Sequence, residues 1–255
     1  MIWITGDIHG DPRRFSKDVF PEQSEMTKDD VVIVLGDFGL VWDYTGESSS
    51  ERYWLKWLEE KPFTTVFVCG NHENFERLYQ YPIKEWHGGK VHEIRSHILH
   101  LMRGEIFDIE GLKFFAFGGA SSHDIRDGIV DPSEFKTREE LNKHLRKLYD
   151  QGKQYRIKGM SWWDRELPTK EEMDNGEENL RKVGKKVDYI ISHSPAASTI
   201  ALIGHGLYEQ DILTAYLEDI RENNEYKKHF CGHMHIDKAI NANDIILFEQ
   251  IIRIS

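Results

Sequence analysis

Five apolar runs of this chain end in the same way, at a small residue followed at once by Asp, Asn or His. Apolar runs of this length are typical of β-strands that are covered on both faces. Because an open α/β sheet binds ligands just beyond the carboxyl ends of its strands, we expect these polar side chains to meet at one edge of one sheet. The five junctions are Gly6-Asp7-Ile8-His9, Gly36-Asp37, Gly70-Asn71-His72-Glu73, Ser192-His193 and Gly232-His233-Met234-His235.

The side chains at these junctions form a set of oxygen and nitrogen ligands without a thiolate. Such a set suits divalent metal ions, with Mn favoured here and Fe, Zn, Ni and Mg as alternatives. The set is too large for a single ion, so it predicts two divalent metal ions that share a bridging carboxylate. The candidate ligands are Asp7, His9, Asp37, Asn71, His193, His233 and His235.

Composition bounds the number of domains, the partners and the compartment. A chain of 255 residues without a linker-like stretch predicts a single α/β domain over 1–255. The net charge of -11 argues against nucleic-acid or membrane partners, because such binding depends on clustered Lys and Arg. The first run leaves no room for a signal peptide, and no run reaches transmembrane length. We therefore expect a cytoplasmic protein, with Cys69 and Cys231 as free buried thiols.

Local patterns outside the junctions predict several connecting elements. Asp11-Pro12 is typical of a helix start and predicts a short helix to about Val19. Alternating runs over 91–120 predict an antiparallel meander. His123 and Arg126 follow the last of these runs, so they are candidates for substrate contact.

The stretch from about 121 to 183 differs from the strand-rich remainder of the chain. Two capping boxes predict a helix on each side of the adjacent Trp162 and Trp163. Two neighbouring tryptophans cannot both face one core from regular structure, so one of them is a candidate cover for the site. Trp42, in the apolar loop after Asp37, is a further candidate, with a plain structural loop as the alternative. We therefore interpret 121–183 as a helical and aromatic insertion over the site.

The ordered motifs Asp-x-His, Gly-Asp, Gly-Asn-His-Glu, a strand-terminal His and Gly-His-x-His resemble those of the calcineurin-like metallophosphoesterase superfamily. They extend from Asp7 to His235, nearly the whole chain. In motif detail they are closest to the small bacterial and phage members that resemble phosphoprotein phosphatases. The resemblance implies a four-layer αββα sandwich of two mixed β-sheets flanked by helices, with a dinuclear metal site at the carboxyl ends of the strands.

The resemblance also implies a role for each residue of the motifs. His72 is the non-ligand histidine of the Gly-Asn-His motif, and it would protonate the leaving alkoxide as general acid. Asp37 would bridge the two metals. The implied ligands are Asp7, His9 and His235 for one metal and Asn71, His193 and His233 for the other.

The charge of such a centre favours hydrolysis of phosphate esters. Two divalent ions bring more positive charge than two aspartates and a bridging hydroxide remove, and they make hydroxide available near neutral pH. We expect a phosphomonoesterase of the protein-phosphatase type, acting on a phosphoprotein or a small phosphate ester. The alternatives are a phosphodiesterase or nuclease acting on cyclic nucleotides or nucleic-acid ends, and a non-catalytic interaction module on the same fold.

The chain departs from the protein-phosphatase branch at one motif. That branch carries Asp-Arg three and four residues beyond the bridging Asp, where the Asp supports the catalytic His and the Arg grips phosphate. Here those positions are Leu40 and Val41. Asp43, Arg126 or Arg165 would have to substitute for them. We expect Arg126 or Arg165 to bind the phosphate.

Overall fold

The apolar runs of the sequence form short strands whose residues are buried on both faces of a sheet, as is usual for parallel strands. The computed structural model describes residues 1–204 and 210–255. Its strands are β1 (Ile2–Thr5), β2 (Val31–Val34), β3 (Thr64–Phe67), β4 (Ile83–Trp86), β5 (Gly89–Arg95), β6 (Ile98–Leu101), β7 (Glu105–Ile109), β8 (Leu112–Phe117), β9 (Ile129–Val130), β10 (Arg156–Ile157), β11 (Tyr189–Ser192), β12 (Lys228–Cys231), β13 (Lys238–Ala239), β14 (Asp244–Ile246) and β15 (Ile251–Arg253). Its α-helices are α1 (Ser49–Glu59), α2 (Phe75–Leu78), α3 (Arg138–Asp150), α4 (Lys170–Lys182), α5 (Ala197–Ile203) and α6 (Ile212–Asn223).

The strands assemble into two mixed sheets and a short ribbon. The first sheet has the order β15-β1-β2-β3-β6-β5-β4, and its central strands β1, β2, β3 and β6 run parallel. The second sheet has the order β13-β14-β12-β11-β8-β7, with β8, β11, β12 and β14 parallel. Antiparallel strands complete both sheets. The ribbon is the parallel pair β9 and β10.

Alternating side chains along the strands divide the core into three apolar layers. Ile33 of β2 and Phe114 of β8 pack together between the two sheets. Their neighbours point the other way, since successive strand residues face opposite sides. Val32 packs toward α1, and Phe115 packs toward α4 and α6. The resulting order of helices, sheet, sheet and helices confirms the predicted αββα sandwich.

Two local predictions are wrong in part. Asp11 does cap a helical turn, but this 3-10 turn covers Pro12–Phe15 and does not continue to Val19. The segment 91–120 forms antiparallel pairs, but β5 and β6 belong to the first sheet and β7 and β8 to the second. β6 pairs in parallel with β3 in the first sheet and does not pair with β7. The chain therefore passes from the first sheet to the second between β6 and β7.

The stretch 121–183 contains β9, α3, β10 and α4, with both predicted helices present. None of the residues Arg138–Asp150 in α3 is fully buried, whereas α4 packs Leu180 against the outer face of the second sheet. Cys69 and Cys231 are free and buried, as predicted. Among the described helices, none combines the length and the apolar character that a membrane span requires.

Candidate active site

Both sheets contribute side chains to one site at the carboxyl ends of their parallel strands. Asp7, Asp37 and Asn71 follow β1, β2 and β3 of the first sheet, whereas His193 and His233 follow β11 and β12 of the second. The expectation that all five runs share a single sheet is therefore wrong. The two sheets pack face to face, so their strand ends meet at a common rim.

The first group of predicted ligands is tightly clustered. One ligand atom from each of Asp7, His9, Asp37 and His235 lies within 4.8 Å of the others. The Nε2 atoms of His9 and His235 are 2.9 Å apart, and Asp7 Oδ2 lies 3.3 Å from His235 Nε2. This arrangement of imidazole nitrogens around carboxylate oxygens is one that a divalent metal ion can occupy.

The second group adjoins the first through Asp37. His193 Nε2 lies 3.4 Å from Asp37 Oδ1 and 3.2 Å from His233 Nδ1. Asn71 Oδ1 is buried and has no hydrogen-bond partner within the described structure. A buried carbonyl oxygen without a partner is costly, and a metal ion would satisfy it. The residues present therefore fit divalent metal ions, and Asp37 lies between the two groups of predicted ligands.

Four predicted ligands have backbone conformations in the left-handed region. The φ angles are 45° at His9, 41° at Asp37, 67° at His233 and 49° at His235. Such conformations are uncommon outside glycine and cost on the order of 1–3 kcal/mol each. They persist where the surrounding structure holds them in place, and they concentrate at functional sites. The strain here coincides with the ligand cluster.

The glycines that precede the ligands permit close approach between loops. A Cβ at Gly70 would lie 2.1 Å from Asp37 Oδ1, and one at Gly232 would lie 2.2 Å from Asp7 Oδ1. In return, Asp37 Oδ1 accepts hydrogen bonds from two backbone N–H groups of the loop after β3. Asp7 likewise accepts from the backbone N–H of His233. These bonds fix both carboxylates at the rim.

Glu73, the last residue of the Gly-Asn-His-Glu motif, ties two of these loops together. Its Oε1 accepts from the Phe38 N–H and its Oε2 from the Gly70 N–H, both at 2.6 Å. Burial and then the nearby Asp37 raise the pKa of Glu73, while these backbone donors favour its charged form. The loop that carries Asp37 thus depends on a fully buried carboxyl group.

Replacing Glu73 with Gln is expected to destabilise the protein by about 2 kcal/mol, because a glutamine amide has one acceptor and would turn its NH₂ toward a backbone donor. For a chain of this size that corresponds to a fall of roughly 4–8 °C in the unfolding midpoint. Thermal unfolding followed by circular dichroism measures it. Glu76→Gln, at an exposed position of α2, is the matched control. Equal midpoints for the two variants would contradict the assigned role.

His72 lies beside the predicted ligands, but its neighbours are not those that the sequence suggested. Its Nε2 lies 3.9 Å from Asp37 Oδ2 and 3.0 Å from Arg156 Nη2. Burial lowers the pKa of His72 to about 4, Asp37 opposes that shift and Arg156 adds to it. Burial and Arg156 therefore both disfavour a positive charge on the His72 ring.

One of the three candidate lid tryptophans lies next to His72, and a second packs behind it. The Trp42 ring packs on His72 with a centroid distance of 5.2 Å, and Trp163 packs on Trp42 at 5.5 Å. Trp163 is buried and Trp162 is half-buried, so the pair divides between core and partial exposure as two adjacent tryptophans must. The stretch 121–183 thereby contributes a wall beside His72. A lid that opens and closes stays a prediction.

The three predicted substrate contacts occupy different places. His123 lies next to the site, with its ring centroid 4.7 Å from that of His233. Arg126 is exposed and lines, with these two histidines, a cavity of about 570 Å³. Arg165 is exposed and stacks over the Tyr79 ring at 4.5 Å. The phosphate-binding roles of Arg126 and Arg165 stay predictions.

Sequence reasoning missed Arg156, the cation that does contact His72. Arg156 follows no ligand motif and belongs to the two-residue strand β10, which is too short for a recognisable pattern. Glu166 is buried 3.7 Å from Arg156 Nη1 and accepts a hydrogen bond from Ser122. It was missed as well, because it lies in a short 3-10 turn (Asp164–Glu166) outside every ligand motif. Basic and acidic residues are nearly balanced over 121–183, so charge did not single out Arg156 either.

The fold and the site together define a class of proteins. Carboxylates, imidazoles and one amide gathered at the joined strand ends of an αββα sandwich are the arrangement of a metal-dependent phosphoesterase. The family model for calcineurin-like phosphoesterases matches residues 1–237, and the chain belongs to this family. The match includes His72 and all the predicted metal ligands. No curated protein shows significant similarity to the chain.

Proposed function

We propose that this protein is a dinuclear-metal-dependent phosphomonoesterase. The observation that carries the proposal is the single rim at which both groups of predicted ligands, His72 and a buried arginine lie together. Divalent ions bound there, with Mn favoured, would attract phosphate and stabilise charge on the attacking and leaving oxygens. Asp37 would hold both ions, and the remaining ligands would divide between them as the family resemblance implies.

The protein's own groups would position the ester and supply a proton. His72 would deliver a proton from Nε2 to the leaving oxygen, which makes it the general acid. For this its ring must become charged, and a bound phosphate dianion raises the pKa of a neighbouring imidazole. Trp42 would exclude water from one side of that proton transfer, since its ring packs on His72.

The walls of the site favour a monoester over a diester. A diester needs room for two organic groups, whereas Trp42, Trp163 and Arg156 close one side of His72. The cavity of about 570 Å³ beside His233 provides room for one leaving group. A phosphoprotein side chain or a small phosphate ester fits this description. The cytoplasmic location and the absence of nucleic-acid partners stay predictions from composition.

The proposal predicts faster turnover of p-nitrophenyl phosphate than of bis-p-nitrophenyl phosphate by metal-stripped protein refilled with Mn. We expect the ratio of kcat/KM values to favour the monoester by about 100-fold, because the diester cannot place both groups against the closed wall. The same protein without added metal should be inactive on both esters. Faster diester turnover would instead favour a phosphodiesterase. Inactivity on both esters with metal bound would contradict the proposed enzyme.

A further inference from the structure

Arg156 places a buried positive charge against the proposed general acid. Its strand β10 pairs in parallel with β9 and closes the loop that carries α3. Only 8% of the Arg156 side chain is exposed. Its Nη2 lies 3.0 Å from His72 Nε2, and its Nη1 donates to the backbone oxygen of Asn71 at 3.4 Å. The guanidinium therefore lies next to both functional residues of the Gly-Asn-His motif.

The contact with His72 leaves the binding capacity of Arg156 partly unused. A guanidinium is permanently charged, and its forked N–H groups match the paired oxygens of a phosphate better than a single imidazole nitrogen. Nε forms an ion pair of 2.7 Å with the half-exposed Asp124. Nη1 donates to the Ser161 backbone oxygen at 3.2 Å and lies 3.7 Å from the buried Glu166 carboxylate. These protein partners fix Nε and Nη1, whereas Nη2 contacts His72 at the site.

Another arginine near the site has its donors already assigned to the protein. Arg14 donates to the Thr5 hydroxyl and to the backbone oxygens of Asp7 and Phe248. Its role is to hold the chain after β1 against the chain after β14. Among the arginines with described contacts at the rim, Arg156 is the one that faces His72.

We propose that Arg156 binds the phosphate of the substrate and makes the site selective for monoester dianions. This inference rests on the proposed function and deepens it. A monoester dianion carries one more negative charge and one more unesterified oxygen than a diester. A charged two-pronged donor beside His72 therefore favours the monoester, because charge-assisted bidentate bonds are the stronger ones. Arg156 would bind phosphate in place of the arginine that the protein-phosphatase branch carries at the position of Val41.

The test compares Arg156→Met with Arg146→Met in the Mn-loaded protein. Both variants lose one arginine charge from the same insertion, but Arg146 lies on the exposed face of α3. Binding of inorganic phosphate, measured by isothermal titration calorimetry, should weaken by about 10- to 100-fold in Arg156→Met and by less than twofold in Arg146→Met. The ratio of monoester to diester kcat/KM should fall by a similar factor in Arg156→Met alone. Unchanged phosphate affinity would overturn the proposal.

Phosphate binding separates this inference from the proposed function, since it requires no turnover. If native protein hydrolyses neither ester yet binds phosphate through Arg156, the proposed phosphomonoesterase activity is refuted and the phosphate-binding role of Arg156 is supported. An active enzyme with the same ester ratio in Arg156→Met would refute the role of Arg156 alone. Metal content and unfolding midpoint are measured for each variant. If Arg156→Met does not fold, Arg156→Lys is the test, because lysine keeps the positive charge and lacks the forked donors. We expect about 10-fold weaker phosphate binding in Arg156→Lys. Native affinity in that variant would overturn the proposal.

Discussion

Replacing Asp37 with Asn is expected to lower kcat/KM for a phosphomonoester by at least about 1,000-fold, because several kcal/mol of charge stabilisation depend on the metal centre. Asp37 lies between the two ligand groups, with Oδ2 3.7 Å from His9 Nδ1 and Oδ1 3.4 Å from His193 Nε2. Burial opposes its ionisation, but the surrounding histidines, His193 first, hold the pKa of Asp37 well below its ordinary value. An amide would remove the anionic ligand that the proposed function assigns to both ions.

The Asp37→Asn variant should keep its fold and lose bound metal. An asparagine oxygen can still accept the backbone hydrogen bonds that Asp37 Oδ1 accepts, so the loop has no reason to collapse. Metal analysis of the purified variant should therefore give fewer ions per chain with a near-native unfolding midpoint. Asp29→Asn, in the exposed turn before β2, is the control and should remain within twofold of native activity. Native metal content together with native turnover in Asp37→Asn would exclude a bridging role.

The meeting of the candidate ligands at one rim was predictable because each lies within a few residues of the end of its strand. Asp7 and His193 are examples: the apolar run before each shows that the chain is at the end of a buried strand. Hydrophobic periodicity shows that a strand is covered on both faces, but it does not show which sheet the strand joins. For this reason the single-sheet interpretation is wrong, although the four-layer sandwich implied by the family resemblance is confirmed.

The surroundings of His72 were not predictable, because they depend on tertiary pairing. Arg156 reaches the site only because β10 pairs with β9 after the chain has passed through α3. Trp163 reaches Trp42 through the same excursion. Glu73 stood in a recognised motif, yet its bonds to two different loops exist only after β2 and β3 have paired. Long-range pairing leaves no local pattern.

Replacing His72 with Ala is expected to lower turnover of esters with poor leaving groups by about 100- to 10,000-fold, the usual contribution of general acid catalysis. The leaving group of an alkyl phosphate such as phosphoserine is a basic alkoxide, so its departure needs the proton. p-Nitrophenolate is stable without one, so p-nitrophenyl phosphate should lose much less. Bound metal should be unchanged, because His72 is not among the predicted ligands. His144→Ala, in α3, is the control.

The contrast between leaving groups separates two readings of the contact between His72 and Arg156. If His72 donates the proton, the loss in His72→Ala grows with the basicity of the leaving group, and the plot of log kcat against leaving-group pKa becomes steeper than in the native protein. If His72 only holds Arg156 in place, both kinds of ester lose the same factor and phosphate binding weakens with them. Equal losses would therefore transfer the role of His72 from proton donor to positioning residue, and unchanged turnover would remove both roles.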